Sequence, residues 1–381
     1  MKKILLFLSI FLLMPVVYAD EDLTPNSPSA ILIEQSTGKV LYEKNSHEKR
    51  PPASMTKVMS MLLVMEAIDN GNLKLTDSVL ISEEAAKMGG SQVFLKAGET
   101  YPVEELLKGV AIASGNDAVV ALAEKVSGSV SAFVEKMNQR ASELKMVDTV
   151  YKNPHGLDTE GHITTAYDMS LVARELLKHE KILEYTSIYE YYMKKPDNTT
   201  TWLVNTNKLV RFYQGVDGLK TGYTKDAMYC LTSTAKKNNM RLVSVVMGSS
   251  SPDLRSSDTV KMLNYGFNGY KSNIILKKDT IVGEIKVKKG VINKISLKLM
   301  EDASELTKTD EKKKNYKYEI DKKELTAPLK KGDVIAKLNV IDEEGTIVAT
   351  KDLTGGENIK KASILDYIKL NFKKALIGKN I

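Results

Sequence analysis

The segment SMTKVMSMLLVMEAIDN, residues 54–70, limits the architecture more than any other part of the chain. Its methionines, leucines and valines occupy nearly every helical face instead of a single stripe, so as a helix it must be buried all round. Other elements then have to cover it, which predicts a layered domain with this helix inside. The segment opens on Ser54, and Lys57 lies one turn away on the same face. A hydroxyl and an amine at the buried start of an apolar helix call for a chemical reason.

Flanking patterns supply the layers. SAILIEQSTGKVLYEKN reads as a hairpin around Thr37-Gly38. Residues 103–146 are helical with breaks at Ser114-Gly115 and around Gly128, and a further helix is expected over 165–179. Past Lys220 the texture becomes strand, YCLTSTA and RLVSVVMG about a turn at 237–239, then helix over 256–265. Strands thus flank a helical middle, giving a sheet with helices against it. Residues 272–352 alternate valine and isoleucine runs with lysine-rich turns, as in a small β-domain without evident chemistry. Its charge run EKKKNYK, residues 311–317, is expected to be a solvated loop.

Both ends are expected to bear on location. MKKILLFLSIFLLMPVVYAD has a basic start, an apolar run and a small-residue ending, the pattern of a secretory signal cleaved after Ala19. Loss of Lys2 and Lys3 lowers the formal charge from +7 to +5, a mildly basic balance that suits an anionic membrane or wall surface. The lone cysteine, Cys230, cannot form an internal disulfide and is expected to pack in the core of a strand. In the last segment Ile364, Leu365, Ile368, Phe372, Ala375 and Leu376 share one helical face, with Lys369, Lys373 and Lys374 off it. Such a basic amphipathic helix is expected to lie in an anionic membrane surface.

The usual hydrolase and nucleotide signatures, GxSxG, HExxH and the Walker loop, are absent. His155 and His162 stand seven residues apart in NPHGLDTEGHITTA, without further ligands for a metal, so structural hydrogen bonding is expected. A serine can also be activated by a lysine whose amine is held neutral by burial. Serine with lysine three residues on begins at Ser36, Ser46, Ser54, Ser142 and Ser233, but only at Ser54 does it open a long apolar helix. The helix N-terminus there offers unpaired backbone donors to an oxyanion. Ser114-Gly115-Asn116 interrupts a helical region and can present a hydroxyl and an amide to a cleft. In Lys220-Thr221-Gly222, just before the strand region, the lysine could meet a carboxylate and the glycine could let a substrate backbone approach.

SMTK at 54–57, SGN at 114–116 and KTG at 220–222, in that order, match the motif set of penicillin-binding proteins and class A β-lactamases. With ILIEQSTGKVLYEKN, PPASMTKVMSMLL, ASGNDAVVALAE, NPHGLDTEGH, TTAYDMS and GLKTGYT, they closely resemble the serine D-alanyl-D-alanine carboxypeptidases, the low-molecular-mass penicillin-binding proteins. The resemblance is strong over residues 27–267 and looser beyond. It implies an α/β (α+β) fold, a β-lactamase/transpeptidase-like antiparallel sheet with helices on its faces, followed by a small all-β domain and a C-terminal amphipathic helix. The implied division is signal 1–19, catalytic domain 20–267, β-domain 272–355 and membrane-association helix 358–381. The implied location is the outer face of the bacterial cytoplasmic membrane, peripherally.

The resemblance also implies a mechanism. Ser54 attacks the carbonyl between two D-alanines of a peptidoglycan stem peptide, Lys57 takes its proton, and water hydrolyses the acyl-enzyme. Ser114 relays a proton, and Asn116 positions Lys57 and substrate. Lys220 and Thr221, beside Gly222, hold the terminal carboxylate, and the backbone N–H groups of Ser54 and Tyr223 form the oxyanion hole. β-Lactams would acylate Ser54 as inhibitors; no metal, organic cofactor or nucleic acid is implied. A class A β-lactamase would carry a glutamate followed shortly by Leu-Asn between Asn116 and Lys220, and none is found. A D,D-endopeptidase acting on cross-links would use the same residues, whereas an inactive wall-binding scaffold would be expected to lose Ser54, Lys57 or Lys220. One departure from the family's text is Met228, where glycine often follows the alanine.

Overall fold

The structure, a computed structural model, describes residues 22–312, 314–322, 324–366 and 368. The expected signal 1–19 and the terminal helix beyond its first residues lie outside them.

Strands β1 (Ser29–Glu34) and β2 (Val40–Lys44) form the expected hairpin. A 3-10 turn, Ala53–Thr56, leads into α1 (Lys57–Asp69). The short elements β3 (Ser78–Leu80), α2 (Glu83–Ala86) and β4 (Thr100–Pro102) precede α3 (Val103–Ala113), α4 (Asn116–Ser127) and α5 (Val130–Glu143). Then come α6 (Ala166–Leu176), α7 (Leu183–Thr186), the hairpin β5 (Glu190–Lys194) and β6 (Thr200–Val204), and α8 (Leu209–Phe212). Strands β7 (Val216–Thr224), β8 (Met228–Lys237) and β9 (Met240–Ser249) and helix α9 (Pro252–Gly269) complete this part.

The helical breaks fall where the sequence placed them. Ser114, at φ 63°, ends α3, and Gly128, at φ 80°, ends α4. Side-chain oxygens of Ser129, Thr165 and Ser251 cap α5, α6 and α9. The last cap, with Pro252 in the first turn, starts α9 four residues before the sequence expectation.

Five antiparallel strands run in the order β2-β1-β9-β8-β7. Alternate residues enter opposite layers: Ile31, Ile33, Val243, Val245 and Cys230 face the large helical core. Ala30, Leu32, Leu242, Val246 and Leu231 face α9 through Met262 and Leu263. Cys230 is therefore a core residue on a strand, as expected. In the helical layer α1 packs against α4, α5 and α6, and nine consecutive residues from Lys57 to Met65 are buried. This is the all-round burial its composition requires.

Two elements differ from the sequence reading. The KTG triplet is not ahead of the strands but within β7, at the sheet edge. Its alternation is masked by glycines that close packing imposes: a Cβ at Gly218 would come 2.7 Å from Thr186 Oγ1, and one at Gly222 would come 2.9 Å from the Pro52 carbonyl. The hairpin β5–β6 has no counterpart in the sequence reading, because aromatic and charged residues interrupt its pattern.

From Tyr270 to Gly355 the described residues are all-β. Strands β10 (Tyr270–Leu276) and β13 (Ala303–Lys308) pair with each other. Strands β11 (Ile281–Lys288), β12 (Lys294–Leu299), β14 (Lys317–Lys322), β15 (Leu325–Thr326), β16 (Val334–Ile341) and β17 (Ile347–Gly355) form a sheet ordered β14-β16-β17-β12-β11-β15. Its core includes Ile295, Leu297, Leu338, Val340 and Leu353.

Met228 sits at φ 57°, in the left-handed region where a side chain is strained and glycine is not. Met228→Gly is expected to stabilise the chain by about 0.5–1 kcal/mol, read as a higher urea midpoint at unchanged slope.

Candidate active site

The 3-10 turn that carries Ser54 is held from several sides. A Cβ on Gly156 would come 1.8 Å from the Ala53 carbonyl oxygen, so only glycine lets the 152–163 loop close on it. Gly222 of β7 approaches the same turn from the sheet, near Pro52, Ala53 and Met55. Ala53 itself is forced to φ 47°, a strained conformation for alanine that this packing over-determines. His162 adds a hydrogen-bonded strut. Its Nδ1 accepts from the Lys152 N–H at 3.1 Å, so in the neutral ring Nε2 carries the hydrogen and donates to Thr56 Oγ1 at 2.8 Å. Thr56 in turn donates to the Ala53 carbonyl. Burial draws the His162 pKa down to about 4, which keeps the strut neutral at physiological pH. Both histidines thus serve in hydrogen bonding, His155 through its Nδ1, which accepts from Leu157 N–H.

One turn on, Lys57 is wholly buried. Its Nζ lies 3.0 Å from Ser54 Oγ, 2.6 Å from Asn116 Oδ1 and 2.8 Å from the His155 carbonyl. Burial first, and then the charge of Lys220, hold its pKa well below the ordinary lysine value, against an opposing pull from Asp117. A neutral amine has two hydrogens and one lone pair. Asn116 and His155 accept the two hydrogens, leaving the lone pair to face the Ser54 hydroxyl.

The SGN triplet reaches the same point from the junction of α3 and α4. Asn116 is fixed by donating to the Gly89 carbonyl at 2.7 Å, which aims Oδ1 at the lysine. Asp117, beside it, accepts from the backbone N–H groups of Val93, Leu95 and Ala118, and so ties down the segment that follows Gly89. Ser114 Oγ is buried without a partner, in the left-handed conformation that ends α3, and lines the same cleft as Ser54. It makes no hydrogen bond to either Ser54 or Lys57.

From the sheet, Thr221, Gly222 and Tyr223 line the cleft, and Thr221 donates to Thr206 Oγ1 at 2.7 Å. Gly222 lines the cleft and also admits the backbone of Pro52, the residue two before Ser54. Tyr223 is half-exposed and stacks on Tyr229 at 4.3 Å. Lys220 is buried beneath this wall, donating to the Thr221 carbonyl, and burial followed by the charge of Arg255 draws its pKa down to about 7. The sequence reading missed Arg255. It stands on the buried face of α9, lines the cleft, and leaves Nε without a partner. Its spacing, seven residues before Met262 and four before Thr259, places it on the helical face that α9 buries, and that was the available signal.

Lys220 and Arg255 therefore bring positive charge to the site, opposed at the cleft wall by Asp253, while Lys57 is held toward neutrality and the nearby Asp117 accepts from backbone donors. Such a cleft suits a substrate with an anionic end beside an electrophilic carbon. Gly222→Ala is expected to cost about 1–3 kcal/mol of stability by overpacking, and to slow acylation of Ser54 by a fluorescent penicillin by more than the fraction unfolded explains. An unchanged acylation rate would show that the turn tolerates displacement.

Comparison with known proteins agrees with this geometry. Residues 17–251 match the family model described as D-alanyl-D-alanine carboxypeptidase, and residues 270–361 match that of the penicillin-binding protein 5 C-terminal domain. A D-alanyl-D-alanine carboxypeptidase of Bacillus subtilis, DacF, is 48% identical over 380 residues, covering 97% of each chain. Penicillin-binding protein 5 of Haemophilus influenzae superimposes with a TM-score of 0.69 at 31% identity, over 88% of this chain and 98% of that one. Penicillin-binding protein D2 of Listeria monocytogenes, solved in its ampicillin-bound form, gives 0.57 at 30% identity over 64% of this chain and 98% of that one. With a nucleophile–amine pair at the head of its central helix and both family models matched in order, the chain belongs to the D-alanyl-D-alanine carboxypeptidase family of serine peptidases.

Proposed function

We propose that the chain removes the terminal D-alanine from peptidoglycan stem peptides through an acyl-enzyme on Ser54. The observation that carries this reading is the buried Lys57 amine, 3.0 Å from the Ser54 hydroxyl with its two hydrogens already accepted by Asn116 and His155. Lys57 takes the Ser54 proton as Oγ attacks the carbonyl between the two D-alanines. The oxyanion forms at the start of α1, against the N–H groups of Ser54 and Tyr223. Collapse expels the D-alanine amine, which takes up a proton through Lys57 or the free Ser114 hydroxyl, and water then hydrolyses the ester. The terminal carboxylate sits against Thr221 and Arg255, with the charge of Lys220 behind them. A β-lactam presents the same carboxylate and a strained amide, so it acylates Ser54 and acts as an inhibitor, consistent with the ampicillin-bound relative.

Export and surface attachment complete the reading. Residues 1–19 direct the chain out of the cytoplasm, and the C-terminal helix lays its apolar face in the outer surface of the membrane. Support comes from its first residues, where Ile364, Leu365 and Ile368 are 81%, 69% and 53% exposed and so are not docked on the protein's own core. No helix among the described residues is long and apolar enough to cross a membrane.

Ser54→Ala is expected to lower D-alanine release from a soluble peptide ending in D-Ala-D-Ala by at least about a thousandfold, and Lys57→Ala to do the same with the fold retained by circular dichroism. Burial and then the charge of Lys220 hold the Lys57 pKa well below the ordinary lysine value, so acylation is expected to rise with pH as Lys57 becomes neutral, over a range below that of an ordinary lysine. A pH-independent rate would overturn the assignment of the base. Deleting residues 364–381, which leaves Ile359 in the β-domain core, is expected to release the chain from anionic vesicles without loss of activity on the soluble peptide; continued sedimentation with the vesicles would place the anchor elsewhere.

A further inference from the structure

The β5–β6 hairpin has two unlike faces. Inward, Met193 and Leu203 are buried in the main core. Outward, the paired residues Tyr192 and Trp202 stack loosely, centroids 6.5 Å apart and planes within 18° of each other. Tyr192 is 61% exposed and Trp202 59%, so the fold gains little from them. The hairpin is nonetheless fixed. Asn205 at its foot donates to the carbonyls of Thr186 and Ile188, and Lys195 at its tip donates to the Phe94 carbonyl. Glu190 accepts from Trp202 Nε1 at 3.3 Å, and Lys194 and Thr200 share the outward face.

We propose that this face is a saccharide subsite, taking a pyranose ring of the glycan strand to which the stem peptide is attached; it rests on the peptidoglycan reading above. Three observations favour a sugar. The C–H face of a pyranose matches near-parallel rings whose faces carry negative quadrupole density. The flanking carboxylate, ammonium and hydroxyl match sugar hydroxyl and carboxyl groups at the ring's edge. The reach also fits. Trp202 is four residues, at most about 14 Å, from cleft-lining Thr206, and the stem from its sugar to the scissile carbonyl is likewise four residues, about 13 Å when extended. A second copy of the chain is a poor occupant, since the two exposed rings offer roughly 200–300 Å² against about 800 Å² per partner in a stable interface.

Two measurements with the full chain test this. Trp202 is the only tryptophan, so its emission reports the subsite directly. Chitotetraose, a sugar without peptide, is expected to change that emission saturably, and Tyr192→Ala is expected to weaken the titration. In turnover, Trp202→Ala is expected to raise KM for a disaccharide-linked pentapeptide by roughly two- to tenfold, with kcat unchanged. KM for the sugar-free pentapeptide should not move, and Trp202→Phe should restore most of the loss. The proposal is overturned if both substrates suffer equally, if neither does, or if emission follows protein concentration and ignores the sugar. Should the wild-type chain release D-alanine from neither substrate, the peptidase reading fails, and the chitotetraose titration alone decides the subsite, a saturable change upholding it and a flat one ending it.

Discussion

The structure turns on the removal of one amine from water. A lysine side chain with no exposed surface pays a large desolvation cost if it keeps its charge, and Lys57 is relieved of that cost by neutrality rather than by a carboxylate partner. Asn116 and the His155 carbonyl accept hydrogen bonds from it without bringing a countercharge that would return it to an ordinary pKa. The carboxylate that opposes this shift, Asp117, is engaged by backbone N–H groups and organises the segment around Val93 and Leu95. Everything that buries α1 therefore also sets the protonation of the base.

Much of this was legible in the sequence because the demands on those residues are local and chemical. An apolar run without a polar face requires a buried helix, and a serine and lysine one turn apart on it can share a hydrogen bond whatever the rest of the fold. The breaks at Ser114 and Gly128 were visible because left-handed termini leave a residue signature. The arrangement of SGN and KTG around that pair came from resemblance, since triplets 60 and 166 residues beyond Ser54 are brought together only by tertiary packing.

What escaped the reading was set by long-range sterics. The missing side chain of Gly222 is also needed by the Pro52 carbonyl, a neighbour 170 residues away. Lys220 is buried by β7 and donates to the Thr221 carbonyl, a placement that the strand's covering neighbours decide. Arg255 could not be told from the surface arginines until α9 was seen to bury it against the sheet. In each case alternation along the element was readable and the identity of its covering neighbour was not.

The position of β7 at the sheet margin has one more consequence. A margin strand offers an incoming peptide a row of main-chain groups, and recognition of that kind registers the handedness and spacing of a backbone more than the identity of its side chains. An enzyme that gripped the third or fourth residue of its substrate by shape would be tied to a single wall chemistry. One that reads main chain beside a fixed anionic end can keep working when the substrate's side chains change.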